Sequence, residues 1–235
     1  TNARPTRAVS PQTTGRRSVT TSETIRAKRR AKVKRVAEAY GVKLADAAVC
    51  PGHSAPLDFA TAWIVERPAL SVVHGPRGGG KSYTAGLATH VDSIQYPRHK
   101  TKILGGSLAQ SQQIYNALDD FRKHRSGSLR RFRKTSAEYA TGSEVSILAA
   151  SATSVRGPHV ATLRLDEVDE IPEQLREDAV GMCMEQHGVS ASICMTSTWH
   201  RVAGPMEKLR EHSGEQGIAW YTFCAFEVLE RCPEG

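Results

Sequence analysis

A glycine-rich run that ends in lysine and serine lies at residues 72–86, in the stretch VVHGPRGGGKSYTAG. Its spacing fits the pattern G-x-x-x-x-G-K-[ST], and the apolar, strand-like run ALSVV precedes it. Backbone N–H groups of such a loop, and the N-terminus of the helix after it, can surround a phosphate. We therefore predict a phosphate-binding loop rather than a turn that binds nothing. Its predicted contact residues are Gly75, Pro76, Arg77, Gly78, Gly79, Gly80, Lys81, Ser82 and Tyr83.

A phosphate loop of this kind needs a second carboxylate site, and the stretch TLRLDEVDEIPE at residues 162–173 supplies one. An apolar strand, interrupted by Arg164, ends in Asp166 and Glu167. We predict that Lys81 contacts the β- and γ-phosphates, and that Ser82 and Asp166 hold Mg²⁺. Glu167 can polarise a water for attack on the γ-phosphate, and this pairing favours hydrolysis over transfer. The next acidic residues, Asp169 and Glu170, are interpreted as helix-entry charges.

Three hydroxyl residues end the next predicted strand, in the stretch CMTSTWH. These residues, Thr196, Ser197 and Thr198, could sense the γ-phosphate through Glu167 or a water. Serine and threonine commonly end strands, so it is the order of this stretch after the other two that favours a role at the nucleotide.

The stretches HGPRGGGKS, SATSVRGPHVATLRLDEVDE and MTSTW, in this order, resemble the large terminase subunit of tailed bacteriophages, the motor that pumps DNA into the procapsid. The resemblance covers about residues 55–225. It implies an ATPase with an additional-strand, catalytic-glutamate core that uses ATP and Mg²⁺. It also implies double-stranded DNA, a portal protein and a small terminase subunit as partners, self-association into a ring (a pentamer in the family), and a place at the procapsid portal in the host cytoplasm.

The resemblance also assigns two arginines to catalysis. Arg77 matches an arginine inside the phosphate loop, and Arg156 matches one upstream of the strand that ends in Asp166. Either could neutralise charge on the phosphoryl group, and Arg156 resembles a finger inserted into the neighbouring subunit. The family's adenine-contacting segment would lie near PLDFATAW. Its C-terminal nuclease domain does not fit in the 37 residues after Thr198, so we expect no nuclease activity.

Strand-like and helix-like segments alternate from Ala69 onward. The predicted strands are ALSVV, KTKILGG, EVSILAA, VATLRLDE, SASICMTST and IAWYTFCAF. This alternation predicts an α/β fold with a mainly parallel sheet flanked by helices. We divide the chain into a basic N-terminal arm and helix at 1–41 and an ATPase domain at 42–235. Thr20 and Glu23 predict a capping box at the start of that helix, and Gly41 suits its end.

The net charge of +8 is concentrated in the arm, because residues 1–40 contain 11 Lys and Arg against 2 Asp and Glu. The arm could bind DNA, the portal or the small subunit, or be a solvated tail. A second basic stretch, FRKHRSGSLRRFRKT, is interpreted either as a loop that faces DNA or as a solvated helix end. Its candidate DNA contacts are Arg122, Lys123, Arg125, Arg130, Arg131, Arg133 and Lys134. No apolar run has the length of a membrane span, so we expect no membrane partner.

The five cysteines fit free thiols in a reducing compartment. Cys50 and His53 have ligand-like spacing, and Cys224 and Cys232 form a second pair. A zinc site would need the two distant pairs to converge, and thiols without metal are the favoured interpretation.

Two other functions remain open from sequence. MTST is similar to a helicase motif, although a helicase needs a second RecA-like domain for which we find no sequence. A non-catalytic assembly module with a decayed phosphate loop is the other alternative, and intact Lys81, Ser82, Asp166 and Glu167 argue against it.

Overall fold

The computed structural model describes residues 16–125, 127–149, 159–199 and 202–229. The helices are α1 Arg16–Ala39, α2 Pro56–Thr61, α3 Lys81–Gln95, α4 Leu108–His124, α5 Glu173–Val180, α6 Pro205–Glu211 and α7 Ala225–Val228. A π-helical turn, Ala62–Glu66, continues α2, and a 3-10 turn spans Val168–Glu170. The strands are β1 Leu70–His74, β2 Lys100–Gly105, β3 Leu129–Phe132, β4 Ser136–Tyr139, β5 Glu144–Ile147, β6 Thr162–Asp166, β7 Ser192–Ser197 and β8 Ala219–Thr222.

The strands form one sheet in the order β3-β4-β5-β2-β6-β7-β1-β8. Six neighbouring strands are parallel to one another: β5, β2, β6, β7, β1 and β8. Strands β3 and β4 extend the β5 side of the sheet as antiparallel strands. In this order β7 separates β6 from β1, the strand before the phosphate loop. The carboxyl ends of β1, β6 and β7 therefore meet at one edge, where open α/β sheets bind ligands.

Strands β1 and β2 divide their side chains between two cores. Val73 and Ile103 pack with α1, α2, α3 and α4 on one face, whereas Val72 and Leu104 pack with α5 and α6 on the other. This alternation follows from the two-residue period of a strand. A sheet buried on both faces explains why the central strands read as nearly continuous apolar runs.

Helix α1 begins at Arg16, so the predicted capping box is wrong: Thr20 and Glu23 lie inside the helix. The turn before Thr20 is itself helical and provides the intrahelical hydrogen bonds that a cap would replace. The predicted end is confirmed, because Gly41 has a φ of 72° and Val42 N donates to Ala37 O at 2.9 Å.

The C-terminal half of α1 packs on the rest of the chain. Val33 and Ala37 are fully buried in the core. Arg26 and Arg30 both pair with the Asp58 carboxylate on α2, and Lys34 pairs with Asp46 at 2.6 Å. The division of the chain at residue 41 stays a prediction, but this half of the helix does not stand apart from the fold.

The six predicted strands are all present, and β3 and β4 were missed. Instead of a single loop or helix end, the second basic stretch contains the end of α4 and the edge strand β3. Phe121 is fully buried in the core, and the Phe132 ring stacks on Tyr115 at 5.1 Å between centroids. Both aromatic side chains therefore serve packing, which leaves the exposed arginines and lysines as the part able to meet phosphates.

Arg164, which interrupts the apolar strand β6, belongs to a buried polar cluster. Its Nη2 donates to Asp92 Oδ2 at 3.0 Å, and Arg67 Nη1 donates to the same oxygen at 2.7 Å. Arg67 Nη2 also reaches Thr162 Oγ1, which His99 Nε2 contacts at 2.9 Å. We call these five residues the Asp92 cluster. It ties α3, the end of the π-helical turn and β6 together.

Within the described ranges, no helix has both the length and the apolar character needed to cross a membrane.

Candidate phosphate-binding site

The glycines of the phosphate loop are required for two different reasons. Gly78 and Gly80 have φ angles of 72° and 78°, which residues with a side chain rarely adopt. A β-carbon at Gly75 or Gly79 would instead lie 2.5 or 2.9 Å from the ring of Phe223, which follows β8. Phe223 was not anticipated from sequence, because its contact with the loop depends on β8 pairing beside β1.

Lys81 is the first residue of α3 and is 5% exposed. Its ammonium donates to the carbonyl oxygens of Gly75 and Pro76 at 2.8 and 2.9 Å, so it folds back across the loop. Burial lowers the pKa of Lys81, and the carboxylates of Glu167 and Asp166 oppose that shift. The ammonium thus lies where a phosphate could replace two carbonyl contacts.

Asp166, at the end of β6, is 1% exposed and accepts hydrogen bonds from two hydroxyls. Ser82 Oγ donates to Oδ2 at 2.8 Å, and Thr196 Oγ1 donates to Oδ1. Burial raises the pKa of Asp166, while these two hydrogen bonds lower it. The structure therefore brings together the two residues predicted to hold Mg²⁺, with Thr196 from β7 as an added support.

Glu167 leaves the strand with a φ of 51°, in the left-handed region, which is rare for a residue with a side chain. Its Oε2 accepts hydrogen bonds from both the backbone N and Oγ1 of Thr198 at 3.1 Å, and from Ser197 Oγ at 3.4 Å. The three hydroxyl residues at the end of β7 therefore divide between the two carboxylates. Thr196 supports Asp166, and the next two position Glu167.

A cavity of about 560 Å³ opens over the loop. The exposed Arg77 and the carboxylate residue Glu167 both line it. Its lining residues are Pro76, Arg77, Gly78, Gly79, Gly80, Lys81, Ser82, Tyr83, Gln110, Gln113, Glu167 and Glu170. The size and the convergent polar groups are those of a ligand site.

The two acidic residues interpreted as helix-entry charges have other positions. Glu170 lines the cavity and accepts a hydrogen bond from Gln110. Asp169 is 1% exposed, and its Oδ1 accepts from Met206 N at 3.0 Å in the first turn of α6. Asp169 therefore serves the helix that follows β7, not α5, which is next in sequence.

A second cavity of about 870 Å³ lies on the other side of Tyr83. The residues that line it include residues 42–46, residues 227–229, the loop glycines and Pro56. The segment PLDFATAW, predicted near the adenine, is mostly buried in the core; of its residues only Pro56 lines this cavity.

Two sets of predicted residues are not placed at the cavity. Arg156 lies outside the described residues. The seven basic candidates for DNA contact lie at the end of α4 and on or beside β3, and none lines the cavity. Arg122 and Lys123 pair with Asp119, and Arg131 pairs with Glu138.

No model of a known protein family matches this sequence, and no curated protein matches it. Solved structures do match. The large terminase of a thermophilic bacteriophage gives a TM-score of 0.63 at 14% identity, over 76% of this chain and 47% of that one. The large terminase ATPase domain of Thermus phage P74-26 gives a TM-score of 0.60 at 14% identity, over 82% of this chain and 85% of that one. The bacteriophage HK97 large terminase gives a TM-score of 0.55 at 11% identity, over 80% of this chain and 41% of that one.

This chain spans about half the length of the first of these proteins, which has also been crystallised in complex with ATP-γ-S and with ADP. At these low identities the likeness establishes the fold. The α/β architecture predicted from sequence is confirmed, and the chain has the P-loop fold of the large terminase ATPase domains that its motifs resemble.

Proposed function

We propose that this chain is the ATP-hydrolysing motor domain of a viral large terminase, which drives double-stranded DNA into a procapsid. The observation that carries the proposal is the meeting of Ser82, Asp166 and Glu167 at the mouth of the phosphate loop. Ser82 Oγ lies 2.8 Å from Asp166 Oδ2, and Glu167 lines the cavity over the loop. The likeness to terminase ATPase domains supports the packaging role, and the site itself supports ATP hydrolysis.

The residues at the loop fit a magnesium nucleotide. Asp166 and Ser82 offer hard oxygen ligands of the type that Mg²⁺ prefers, and the described residues give the Asp166 carboxylate hydroxyl partners but no ion pair. When bound there, Mg²⁺ would neutralise charge on the phosphate oxygens. Lys81 would exchange its two carbonyl contacts for the β- and γ-phosphates. The loop glycines let backbone N–H groups approach the phosphates closely.

Glu167 is proposed as the general base. Thr198 fixes its Oε2 with two hydrogen bonds, which orients the carboxylate towards the cavity. In this position it can accept a proton from a water that attacks the γ-phosphate. The proton passes to the Glu167 carboxylate, and ADP and phosphate are the products. A general base that is held in a fixed geometry accelerates the reaction more, because the group is already positioned for proton transfer.

Arginine completes the charge balance in this proposal. Arg77 lines the cavity of its own subunit. Arg156 stays a prediction as a finger that enters the neighbouring subunit's site, which requires a ring. The ring, the portal and the small terminase subunit are proposed as partners from the family resemblance. The exposed cations Arg130, Arg133 and Lys134 are proposed to contact DNA phosphates.

The test separates binding from hydrolysis with Glu167→Gln. This variant should bind ATP with Mg²⁺ normally, because Glu167 is proposed to act on water and not on the phosphates. Its turnover should fall by about 10²–10⁴-fold, the usual effect of removing a general base. Nucleotide affinity and ATP turnover are measured on the same preparations, with and without duplex DNA, and DNA should stimulate the unmodified protein.

Glu177→Gln is the matched control, since Glu177 is an exposed glutamate on α5 away from the cavity. It should keep both affinity and turnover. Normal turnover by Glu167→Gln would remove this glutamate from the mechanism. Absence of ATP turnover in the unmodified protein, alone and with DNA, would favour a binding module over a motor.

A further inference from the structure

Two sequence-distant segments converge at a cluster of metal-ligating side chains outside the phosphate site. Cys50 and His53 precede α2, whereas Cys224 and Glu227 lie at the start of α7, more than 170 residues later. One ligand atom from each residue lies within 4.8 Å of all the others. The partner that sequence suggested for Cys224, Cys232, lies outside the described residues, and Glu227 was not anticipated.

Two distances between ligand atoms in this cluster match those of a tetrahedral zinc site. Zn–S bonds of about 2.3 Å at the tetrahedral angle place two sulfurs about 3.8 Å apart, and Cys50 Sγ and Cys224 Sγ are 3.7 Å apart. Bonds of about 2.0 Å to nitrogen and oxygen place those atoms about 3.3 Å apart, and His53 Nδ1 and Glu227 Oε1 are 3.1 Å apart. One zinc ion between the four side chains would be compatible with both of these distances.

The backbone around the cluster holds Glu227 in place. Its Oε1 accepts hydrogen bonds from the backbone N–H groups of Val49 and Cys50, and its Oε2 accepts one from that of Cys224. The Glu227 side chain has no exposed area. Ligand carboxylates in metal sites are typically oriented by such outer hydrogen bonds.

We propose that Cys50, His53, Cys224 and Glu227 bind one structural Zn²⁺. Two thiolates with an imidazole and a carboxylate form a donor set that selects zinc over magnesium or calcium, which prefer oxygen alone. A disulfide is the competing fate of the two thiols, since a small movement of either side chain could bring the sulfurs into bonding distance. The two fates exclude each other, because a disulfide provides no thiolate ligands.

The zinc would join the two segments that frame the phosphate loop. Phe223, next to Cys224, packs against Gly75 and Gly79 of the loop. Pro56, three residues after His53, and Glu227 both line the second cavity. If the proposed ATPase function is correct, loss of zinc should weaken nucleotide binding by freeing these segments. The zinc site itself does not depend on that function.

The experiment measures metal content in protein purified with reductant and without chelator. We expect about one zinc per chain in the unmodified protein. The zinc content should fall by about tenfold or more in Cys50→Ser and in Cys224→Ser. Cys183→Ser is the matched control, since Cys183 is a partly buried free thiol outside the cluster. It should keep its zinc.

Cobalt substitution covers the case in which the serine variants fail to fold. Apo protein titrated with Co²⁺ should develop a thiolate-to-cobalt charge-transfer band that saturates at one ion per chain. Failure of the reduced protein to bind either metal would overturn the proposal, as would wild-type levels of zinc in both serine variants. A Cys50–Cys224 disulfide that forms in preference to metal binding at cellular redox poise would overturn it as well. None of these readouts involves nucleotide, so a failed ATPase proposal leaves them interpretable.

Discussion

Asp92, on α3, and Asp166, the last residue of β6, are both buried carboxylates, and they differ in their partners. Asp92 accepts hydrogen bonds from two buried arginines, Arg67 and Arg164. Asp166 accepts hydrogen bonds from two hydroxyls, those of Ser82 and Thr196. The Asp92 charge is compensated by ion pairs inside the fold, whereas Asp166 has hydroxyl partners, and we propose that its charge is met by a bound Mg²⁺. On this proposal, Asp92 stabilises the fold and Asp166 serves a ligand.

Asp92→Ala should give the largest loss of stability. The substitution leaves two buried guanidinium groups without their carboxylate, which typically costs about 3–5 kcal/mol of unfolding free energy. Urea unfolding measures the effect. Asp119→Ala, which breaks only exposed ion pairs with Arg122 and Lys123, should cost about 0.2–1 kcal/mol. Equal losses of unfolding free energy in the two variants would contradict a stabilising role for the Asp92 cluster.

Acid should destabilise the protein through His99, which belongs to the same cluster. Burial lowers its pKa to about 4, with Asp92 opposing the shift and both Arg67 and Arg164 adding to it. The unfolded chain, with an ordinary histidine pKa near 6.5, binds the proton first as pH falls. Stability should therefore decrease between about pH 6.5 and 4, by up to about 1.4 kcal/mol per pH unit from this group.

The His99→Gln variant checks this origin of the pH dependence. Unfolding free energy is measured by urea at several pH values from 4 to 7, and the variant should show a shallower slope than the unmodified protein. An unchanged slope would assign the acid sensitivity to other groups, such as His90, whose pKa burial also lowers to about 4.

Asp166→Asn should change stability by less than about 1 kcal/mol. The amide keeps the shape of the carboxylate, and the hydroxyls of Ser82 and Thr196 can each donate or accept. Burial raises the pKa of Asp166, so the charge itself does not favour the fold. Magnesium-dependent nucleotide binding should be lost in the same variant, as isothermal titration would measure. A stability loss as large as that of Asp92→Ala would contradict the distinction between the two carboxylates.

What could be predicted from sequence depended on local spacing. The phosphate loop and the carboxylates at the end of β6 are contiguous motifs, and the six parallel strands are apolar runs with clear ends. Strands β3 and β4 were missed because LRRF and SAEY are short and contain charged residues, and β3 is the edge strand. Such segments lack the apolar signal of a buried strand.

The contacts that join distant residues could not be read from the sequence. Phe223 meets the loop glycines only because β8 pairs with β1. Arg164 looked like an interruption of β6 until α3 placed Asp92 opposite it. Glu227 completes the cysteine cluster from a four-residue helix. In each case a residue's role depends on a pairing of elements far apart in the chain.

The central claim, that the loop at Gly75–Ser82 binds the phosphates of ATP, is tested most directly by titrating ATP-γ-S with Mg²⁺ into Lys81→Ala. The account predicts that affinity falls by at least about tenfold, since charge-assisted contacts to two phosphates are lost. Lys102→Ala is the control, because Lys102 is also partly buried but lies on β2 and contacts Ser146. It should bind like the unmodified protein. Equal affinity in Lys81→Ala and Lys102→Ala would contradict the claim.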